Sequence, residues 1–480
     1  MPVRHRVRLA TLCSILSVTF SSFVFALDRQ HPPVEPAPVL ANETGKKYPE
    51  PAPAADSEKL GVGVQRAMTL MATSTPEHHN KVRVLFYGQS ITEQEWSKYV
   101  ADDLRRRFPN ANLEIENRAI GGFASQLLIR PAEHDLYPFY PDLVIFHVYG
   151  GEKDYEKIIQ SIRSRTTADV LMQTDHATSW PPETVDRTKD KGMWWDDFMN
   201  HVFLPETAKK YGCGLVDIRT DWLAYLRANT LEPKALLKDG VHLNEYGNFL
   251  MARLIERYLV YRPELAKTSW QENVKDIALG DGMKWENGAL SMKFDGNRID
   301  AILAEGTQSA EVLIDGKKPS QFPECYAITR PQPGPWSPLF IARVDHTLPL
   351  VLEEWTYTVT KAAAPGANWT FDVSGSVTGP DGSGSSDQIF ASTSGRVKIL
   401  PEVYFRNSVK SVEIPKGYRE TWKVVPHFAD TVIASNSADA TREQLTTLAQ
   451  GLSNGEHTLE LKGSAGCPIK ALRVYQPPVK

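Results

Sequence analysis

The stretch Val82-Arg83-Val84-Leu85-Phe86-Tyr87-Gly88-Gln89-Ser90-Ile91-Thr92 passes from β-branched and aromatic residues straight into a glycine and small polar residues. Such a run reads as a buried strand that stops at the glycine. Downstream, Trp96, Val100, Leu104 and Phe108 recur every four residues, the apolar stripe of a helix. The same alternation continues along the chain. Apolar runs at Leu113–Ile115, Leu143–Val148, Val170–Met172 and Gly214–Ile218 read as strands. Helices are expected over Tyr155–Ser164 and Trp194–Lys210, and Phe249, Leu250, Arg253, Leu254 and Tyr258 suggest a closing helix. Strands alternating with helices predict an α/β fold, a parallel sheet covered on both faces. In such sheets, active residues gather at the C-terminal ends of the strands.

The pattern changes after Pro263. Short segments of period two follow: Leu290–Phe294, Ile299–Leu303, Val312–Ile314, Leu352–Val359, Thr458–Leu461 and Leu472–Tyr475. Asp295-Gly296, Asp315-Gly316 and Pro380-Asp381-Gly382 read as turns between them, and the Gly- and Ser-rich run Gly375–Ser386 as a long loop. A β-sandwich over residues 275–480 is expected. A length of 480 residues fits two such domains better than one core.

The first residues read as a secretory signal. Arg4, Arg6 and Arg8 precede an uncharged run from Leu9 to Phe25, and Val24-Phe25-Ala26 offers a small-residue cleavage site. The run is short and serine-rich for a membrane anchor. Loss of residues 1–26 removes three arginines and no acid, taking the formal charge from -4 to -7. An acidic surface disfavours nucleic acid or anionic membrane as partner. Residues 27–60, rich in proline, read as an extended tether leading to a catalytic domain over 61–265. Of the remaining cysteines, Cys213 reads as a buried apolar residue, whereas Cys325 and Cys467 could pair in an oxidising compartment. No spacing of cysteines or histidines suggests a metal, and no cofactor motif occurs. The oligomeric state is left open.

Two motifs carry chemistry. Ser90 follows the first strand, where its hydroxyl and N–H would face a cleft and the next helix would add a positive dipole end. Alone, such a serine reads equally well as a helix cap. Lys238-Asp239-Gly240-Val241-His242-Leu243-Asn244 precedes the closing helix. Asp and His three apart can meet across one turn, leaving the other ring nitrogen free to take a serine proton.

With these residues the sequence resembles the SGNH/GDSL hydrolase family, over roughly Val82 to Leu259. Gly88-Gln89-Ser90-Ile91-Thr92 is similar to its first block, with Gln89 where an acid is usual. Asn117-Arg118-Ala119-Ile120-Gly121-Gly122 resembles its second, and Asp239-Gly240-Val241-His242 its fifth. The resemblance implies a flavodoxin-like three-layer α/β/α sandwich with Ser90 as nucleophile, His242 as base and Asp239 as its orienting acid. Ser90 and Gly122 would supply oxyanion N–H groups. The third block departs from the family. Val148-Tyr149-Gly150-Gly151-Glu152-Lys153-Asp154 lacks the asparagine that completes the oxyanion hole, and Gly151 or Glu152 takes its position.

Other residues carry two readings each. Asp175 and His176, after the fourth strand, could contact substrate or bond within a loop. Trp180, Trp194 and Trp195 could stack on sugar rings or be buried, and His147 is expected to be packed. The leading functional expectation is a secreted or periplasmic esterase that removes O-acyl groups from a carbohydrate. One alternative is glycosidic cleavage by Glu152 and Asp239; another is a glycan-binding protein without turnover.

Overall fold

The computed structural model describes residues 48–186, 188–189, 191–265, 270–280, 283, 285–333, 341–405, 413–437, 439, 441–463 and 468–480. The expected signal segment, the tether before Tyr48 and residue Cys467 lie outside them, and with Cys467 lies the pairing considered for Cys325, itself a buried free thiol. The described end of the proline-rich stretch is docked rather than free. Tyr48 stacks on Tyr246 at 4.0 Å, and the Pro49 carbonyl accepts from the Tyr225 hydroxyl at 2.7 Å.

The N-terminal unit runs α1 (Gln65–Ala72), β1 (Lys81–Gly88), α2 (Trp96–Arg107), β2 (Asn112–Asn117), α3 (Ser125–Leu128), α4 (Ala132–Asp135), β3 (Leu143–His147), α5 (Glu152–Arg165) and β4 (Asp169–Gln173). It continues with α6 (Lys191–Phe198), α7 (Leu204–Tyr211), β5 (Gly214–Val216), α8 (Ile218–Ala228) and α9 (Glu245–Glu256). The five strands pair in parallel in the order β2-β1-β3-β4-β5, the flavodoxin-like order. The period of two in β1 sends Val84 and Phe86 to one face and Leu85 and Tyr87 to the other. The first face is covered by Trp96, Val100, Trp222, Leu226 and Leu250, the second by Leu128, Tyr155, Ile158 and Ile162. Both faces of the sheet are therefore dry, which is what a βαβ topology requires.

Two helices differ from expectation. The stretch Trp194–Lys210 is not one regular helix, since a π turn over Met199–Phe203 separates α6 from α7. Pro205 stands at the start of α7 and has no N–H to donate, so the regular ladder cannot run through it. Ile218 opens α8 instead of ending a strand, because Asp217 caps the helix by accepting from the Thr220 N–H at 3.1 Å.

The C-terminal half is β-rich and has two cores. A seven-stranded antiparallel sheet is built from β6 (Val274–Ala278), β7 (Trp285–Glu286), β8 (Ala289–Leu303), β9 (Ser309–Ile314) and three strands much later in sequence. Between them come β10 (Tyr326–Ile328), β11 (Gln332–Pro333), β12 (Asp345–His346), β13 (Glu354–Val359), β14 (Thr370–Gly375), β15 (Gly379–Ser385), β16 (Phe390–Ala391), β17 (Val397–Ile399) and β18 (Arg419–Pro426). These form a six-stranded and a three-stranded sheet around a shared core containing Trp355, Tyr357, Phe371, Val397 and Trp422. The chain then returns as β19 (Thr431–Ile433), β20 (Leu445–Lys462) and β21 (Ile469–Tyr475) to complete the larger sheet.

The expected turn at Asp295-Gly296 is instead the middle of β8. A Cβ at Gly296 would stand 2.2 Å from the Tyr475 carbonyl oxygen, so this glycine serves close strand approach. Gly375–Ser386 is likewise no loop, and Pro380-Asp381-Gly382 no turn, since both fall largely in β15. That strand lies at a sheet edge, where proline is tolerated, and a Cβ at Gly384 would meet the Phe371 and Phe390 rings below 3.0 Å.

Residues 130–142 dock the two halves. Arg330 pairs with buried Asp135 at 2.8 Å, and Gln450 donates to the Pro138 carbonyl at 2.9 Å. His134 Nε2 accepts the Val344 N–H at 3.3 Å. His134, His346 and His427 line a cavity of about 550 Å³ at this junction. Burial holds their pKa values down, at about 4 for His134, about 4 for His346 and about 3 for His427. The unfolded chain titrates these groups near their ordinary 6.5, so acid favours unfolding. Their contribution is complete above pH 6.5 and is lost progressively as pH falls from there towards 4. The melting temperature, followed by circular dichroism, should fall across that window. A flat profile would contradict the neutral-histidine junction.

Candidate active site

Ser90 owes its place to the end of β1. Gly88 is opposite His147 of β3, and a Cβ there would lie 2.0 Å from the His147 carbonyl oxygen. The chain then turns sharply. The Gln89 carbonyl accepts the N–H groups of Thr92 at 2.7 Å and Glu93 at 3.1 Å. The next helix, α2, does not begin until Trp96 and has Glu95 as its N-cap, so Ser90 is not a helix cap. Among the described residues, no acceptor meets the Ser90 N–H.

The Asp239–His242 segment folds as a tight loop ahead of α9. One Asp239 oxygen accepts the N–H groups of Val241 at 2.8 Å and His242 at 2.7 Å; the other faces His242 Nδ1 at 2.9 Å. The two backbone N–H donors, and after them the imidazole, hold the Asp239 carboxyl at a pKa of about 2. An ionised Asp239 can only accept, so Nδ1 of His242 carries the proton. The lone pair of Nε2 then faces Ser90 Oγ at 3.0 Å. Hydroxyl, imidazole and carboxylate thus form a continuous line, the geometry that lets an imidazole take a serine proton during nucleophilic attack.

Other segments hold that loop in place. The Gln94 side chain donates to the Leu243 carbonyl at 2.9 Å and accepts its N–H at 3.0 Å. His176 Nε2 donates to the Val241 carbonyl at 2.9 Å, while Nδ1 accepts from the Tyr149 hydroxyl at 3.3 Å. That pattern requires a neutral ring, and burial keeps the His176 pKa down at about 4. Asn244 caps α9 by accepting the Gly247 N–H at 3.0 Å. Neither Gln94 nor Tyr149 stands out in sequence, because their partners are backbone groups or residues far along the chain.

Gly122 lies after β2 at φ +79°, and among the described residues its N–H has no acceptor. Its neighbour Gly121 donates to Glu93 at 2.7 Å, which ties this loop to the Ser90 turn. From the β-rich half, Phe405 packs against the loop, with its ring 4.4 Å from that of Phe123 and close to Gly122. No sequence signal announced this contribution. Gly151 is the N-cap of α5 and Glu152 its first residue, where the helix N-terminus favours a negative charge.

Asp175 and His176 are both buried and engaged inside the protein, the loop-bonding reading of this pair. Asp175 faces His147 at 3.1 Å, and its backbone N–H donates to Asn200 Oδ1 at 2.6 Å. His147 is packed, as expected. Trp180 bonds Glu232 at 2.8 Å and packs on the first core. Trp195 packs on the second, and Trp194 stacks on Phe198. Among the described residues, no cluster of three or more His, Cys, Asp or Glu could hold a metal, and no helix is long and apolar enough to cross a membrane.

A parallel α/β/α layer with a serine, imidazole and carboxylate aligned at its strand ends has the architecture of a serine hydrolase. No family model and no curated relative matches the chain. Among solved structures, the chain is similar to the acetylxylan esterase Axe2 of Geobacillus stearothermophilus at 18% identity and TM-score 0.32, covering 39% of this chain and 98% of that one. It is similar to a putative GDSL-like lipase from Parabacteroides merdae at 16% identity and TM-score 0.33, over 38% of this chain and 97% of that one. A two-domain esterase active on acetylated mannans matches at 14% identity and TM-score 0.35, over 88% of this chain and 98% of that one.

If Gln94 and His176 set the Ser90–His242 distance, Gln94→Ala and His176→Ala should slow labelling of Ser90 by a fluorophosphonate roughly 10- to 100-fold, the effect of misplacing a reacting group by about 1 Å. Labelling at the wild-type rate in both variants would refute this role.

Proposed function

We propose that the chain is an SGNH/GDSL-type serine hydrolase, and that it removes O-acyl groups, acetyl foremost, from a carbohydrate outside the cytoplasm. The observation that carries this reading is the line from Asp239 through His242 to Ser90, with contacts of 2.9 and 3.0 Å. His242 takes the Ser90 proton as Oγ attacks the acyl carbonyl. The N–H groups of Ser90 and Gly122 receive the developing oxyanion, and His242 then protonates the departing sugar hydroxyl. Water repeats the sequence on the acyl-enzyme.

The cleft encloses about 840 Å³ and is lined by Ser90, His242, Gln94, Tyr99, Asn244 and Asn248; the three carboxamides are bonded within the protein, and Tyr99 presents an aromatic ring. Glu93, Glu95, Asp239 and Glu245 also line it, against the single cation Lys238, so uncharged glycans fit better than anionic ones. Export rests on the arginine-led apolar segment at the start of the chain.

The test is acetate release from acetylated xylan and mannan. Ser90→Ala should lose activity by a factor on the order of 10⁴ to 10⁶ while keeping its melting temperature. Undiminished release by Ser90→Ala would overturn the reading.

A further inference from the structure

The third block lacks the asparagine whose carboxamide would complete an oxyanion hole, yet a carboxamide is bound to that block from elsewhere. The order β2-β1-β3 places the segments after those strands side by side: Gly121–Gly122, Ser90 and Gly150–Gly151. The start of α3 is laid across the last of these. The Ser125 N–H donates to the Tyr149 carbonyl and its hydroxyl to the Gly151 carbonyl, both at 2.9 Å. The Gly151 N–H donates to Gln126 Oε1 at 3.3 Å. Gly150, at φ +131°, leaves no room for a side chain, since a Cβ would stand 2.5 Å from Ser125 Oγ and 2.6 Å from Gln126 Oε1.

These contacts orient the Gln126 amide. A backbone N–H can only donate, so the branch facing Gly151 is the carbonyl oxygen and the NH₂ points elsewhere. Among the described residues, no acceptor meets that NH₂, and the Gln126 side chain is exposed. An exposed, unspent amide donor is therefore anchored on the segment that follows β3, the strand paired with β1, which itself ends at the Ser90 turn.

Resting on the hydrolase reading above, we propose that Gln126 is a catalytic residue, its NH₂ supplying the third oxyanion donor beside the N–H groups of Ser90 and Gly122. In the acylation step the Ser90 Oγ–carbon bond forms and the carbonyl π pair moves onto oxygen, while the Oγ proton passes to His242 Nε2. Gln126 donates a hydrogen bond to that oxygen and transfers no proton. When the intermediate collapses, the C=O re-forms and the sugar oxygen leaves with the proton from His242.

Steady-state kinetics of acetyl-ester hydrolysis test the assignment with Gln126→Ala, Gln126→Met and Gln126→Glu, beside Ser90→Ala. Loss of one such donor lowers kcat on the order of 10²- to 10³-fold. All three Gln126 variants should show that loss with KM nearly unchanged. Gln126→Glu keeps an acceptor for the Gly151 N–H but donates nothing, so a purely anchoring role would leave its kcat intact. Wild-type kcat in Gln126→Glu or Gln126→Met, or a change confined to KM, overturns the proposal. If Ser90→Ala abolishes turnover in that same series, the hydrolase reading stands and only this assignment falls. If Ser90→Ala turns over normally, both fall.

Discussion

Two hydrogen bonds between the Gln94 carboxamide and the backbone of Leu243 join segments 149 residues apart and tie the Ser90 turn to the loop that carries His242. A parallel sheet brings strand ends to one edge, but only to within several ångströms of one another. Proton transfer needs about 3 Å. Asp239 shapes its own loop through the N–H groups of Val241 and His242, which fixes the imidazole relative to the carboxylate. It does not fix either relative to Ser90. Gln94 sits four residues beyond the serine in the same turn and takes up both polar groups of the residue after His242, so serine and imidazole share one rigid frame. His176 supports the opposite side of the loop through the Val241 carbonyl.

The Gly122 loop, which the proposed mechanism makes part of the oxyanion hole, touches the other half of the molecule. Gly122 has a left-handed conformation, and the loop that carries it is clamped from two directions. Glu93 binds Gly121 from the serine turn, and Phe405 covers Phe123 and Gly122 from the β-rich half. The docking that delivers Phe405 includes the buried Arg330–Asp135 pair. Such a pair adds little net stability after desolvation, but losing one partner would leave a buried charge uncompensated. Through Phe405 the β-rich half packs against the loop that carries Gly122.

Sequence periodicity revealed the strands of the N-terminal sheet because each is buried on both faces and therefore uniformly apolar. Ser90, Asp239 and His242 were legible as short motifs, Gly88-Gln89-Ser90 after a strand and Asp239-Gly240-Val241-His242 before the closing helix, which resemble SGNH/GDSL blocks. Long-range partners left no such trace. Gln94 and Gln126 direct carboxamides at backbone groups, which have no sequence signature, and Phe405 joins the site only through docking of the two halves. Glycine misled at Gly296 and Gly384. In both places the missing Cβ serves close packing, against Tyr475 in one case and Phe371 and Phe390 in the other, and composition alone cannot separate that use from a turn.

The same geometry bears on the glycosidic alternative, in which Asp239 would be one of the carboxyl pair. Glycosidic cleavage by a carboxyl pair needs one carboxyl kept protonated near neutrality, by burial or by a neighbouring negative charge. Asp239 is in the opposite condition. Three hydrogen-bond donors converge on it and its pKa sits at about 2, so it has no proton to give a leaving sugar. Asp239 is held as an anion, and the His242 imidazole beside it is the group placed to move a proton to or from Ser90. Its free nitrogen faces a serine hydroxyl, which suits covalent acyl transfer and leaves the carboxylate the task of fixing a tautomer.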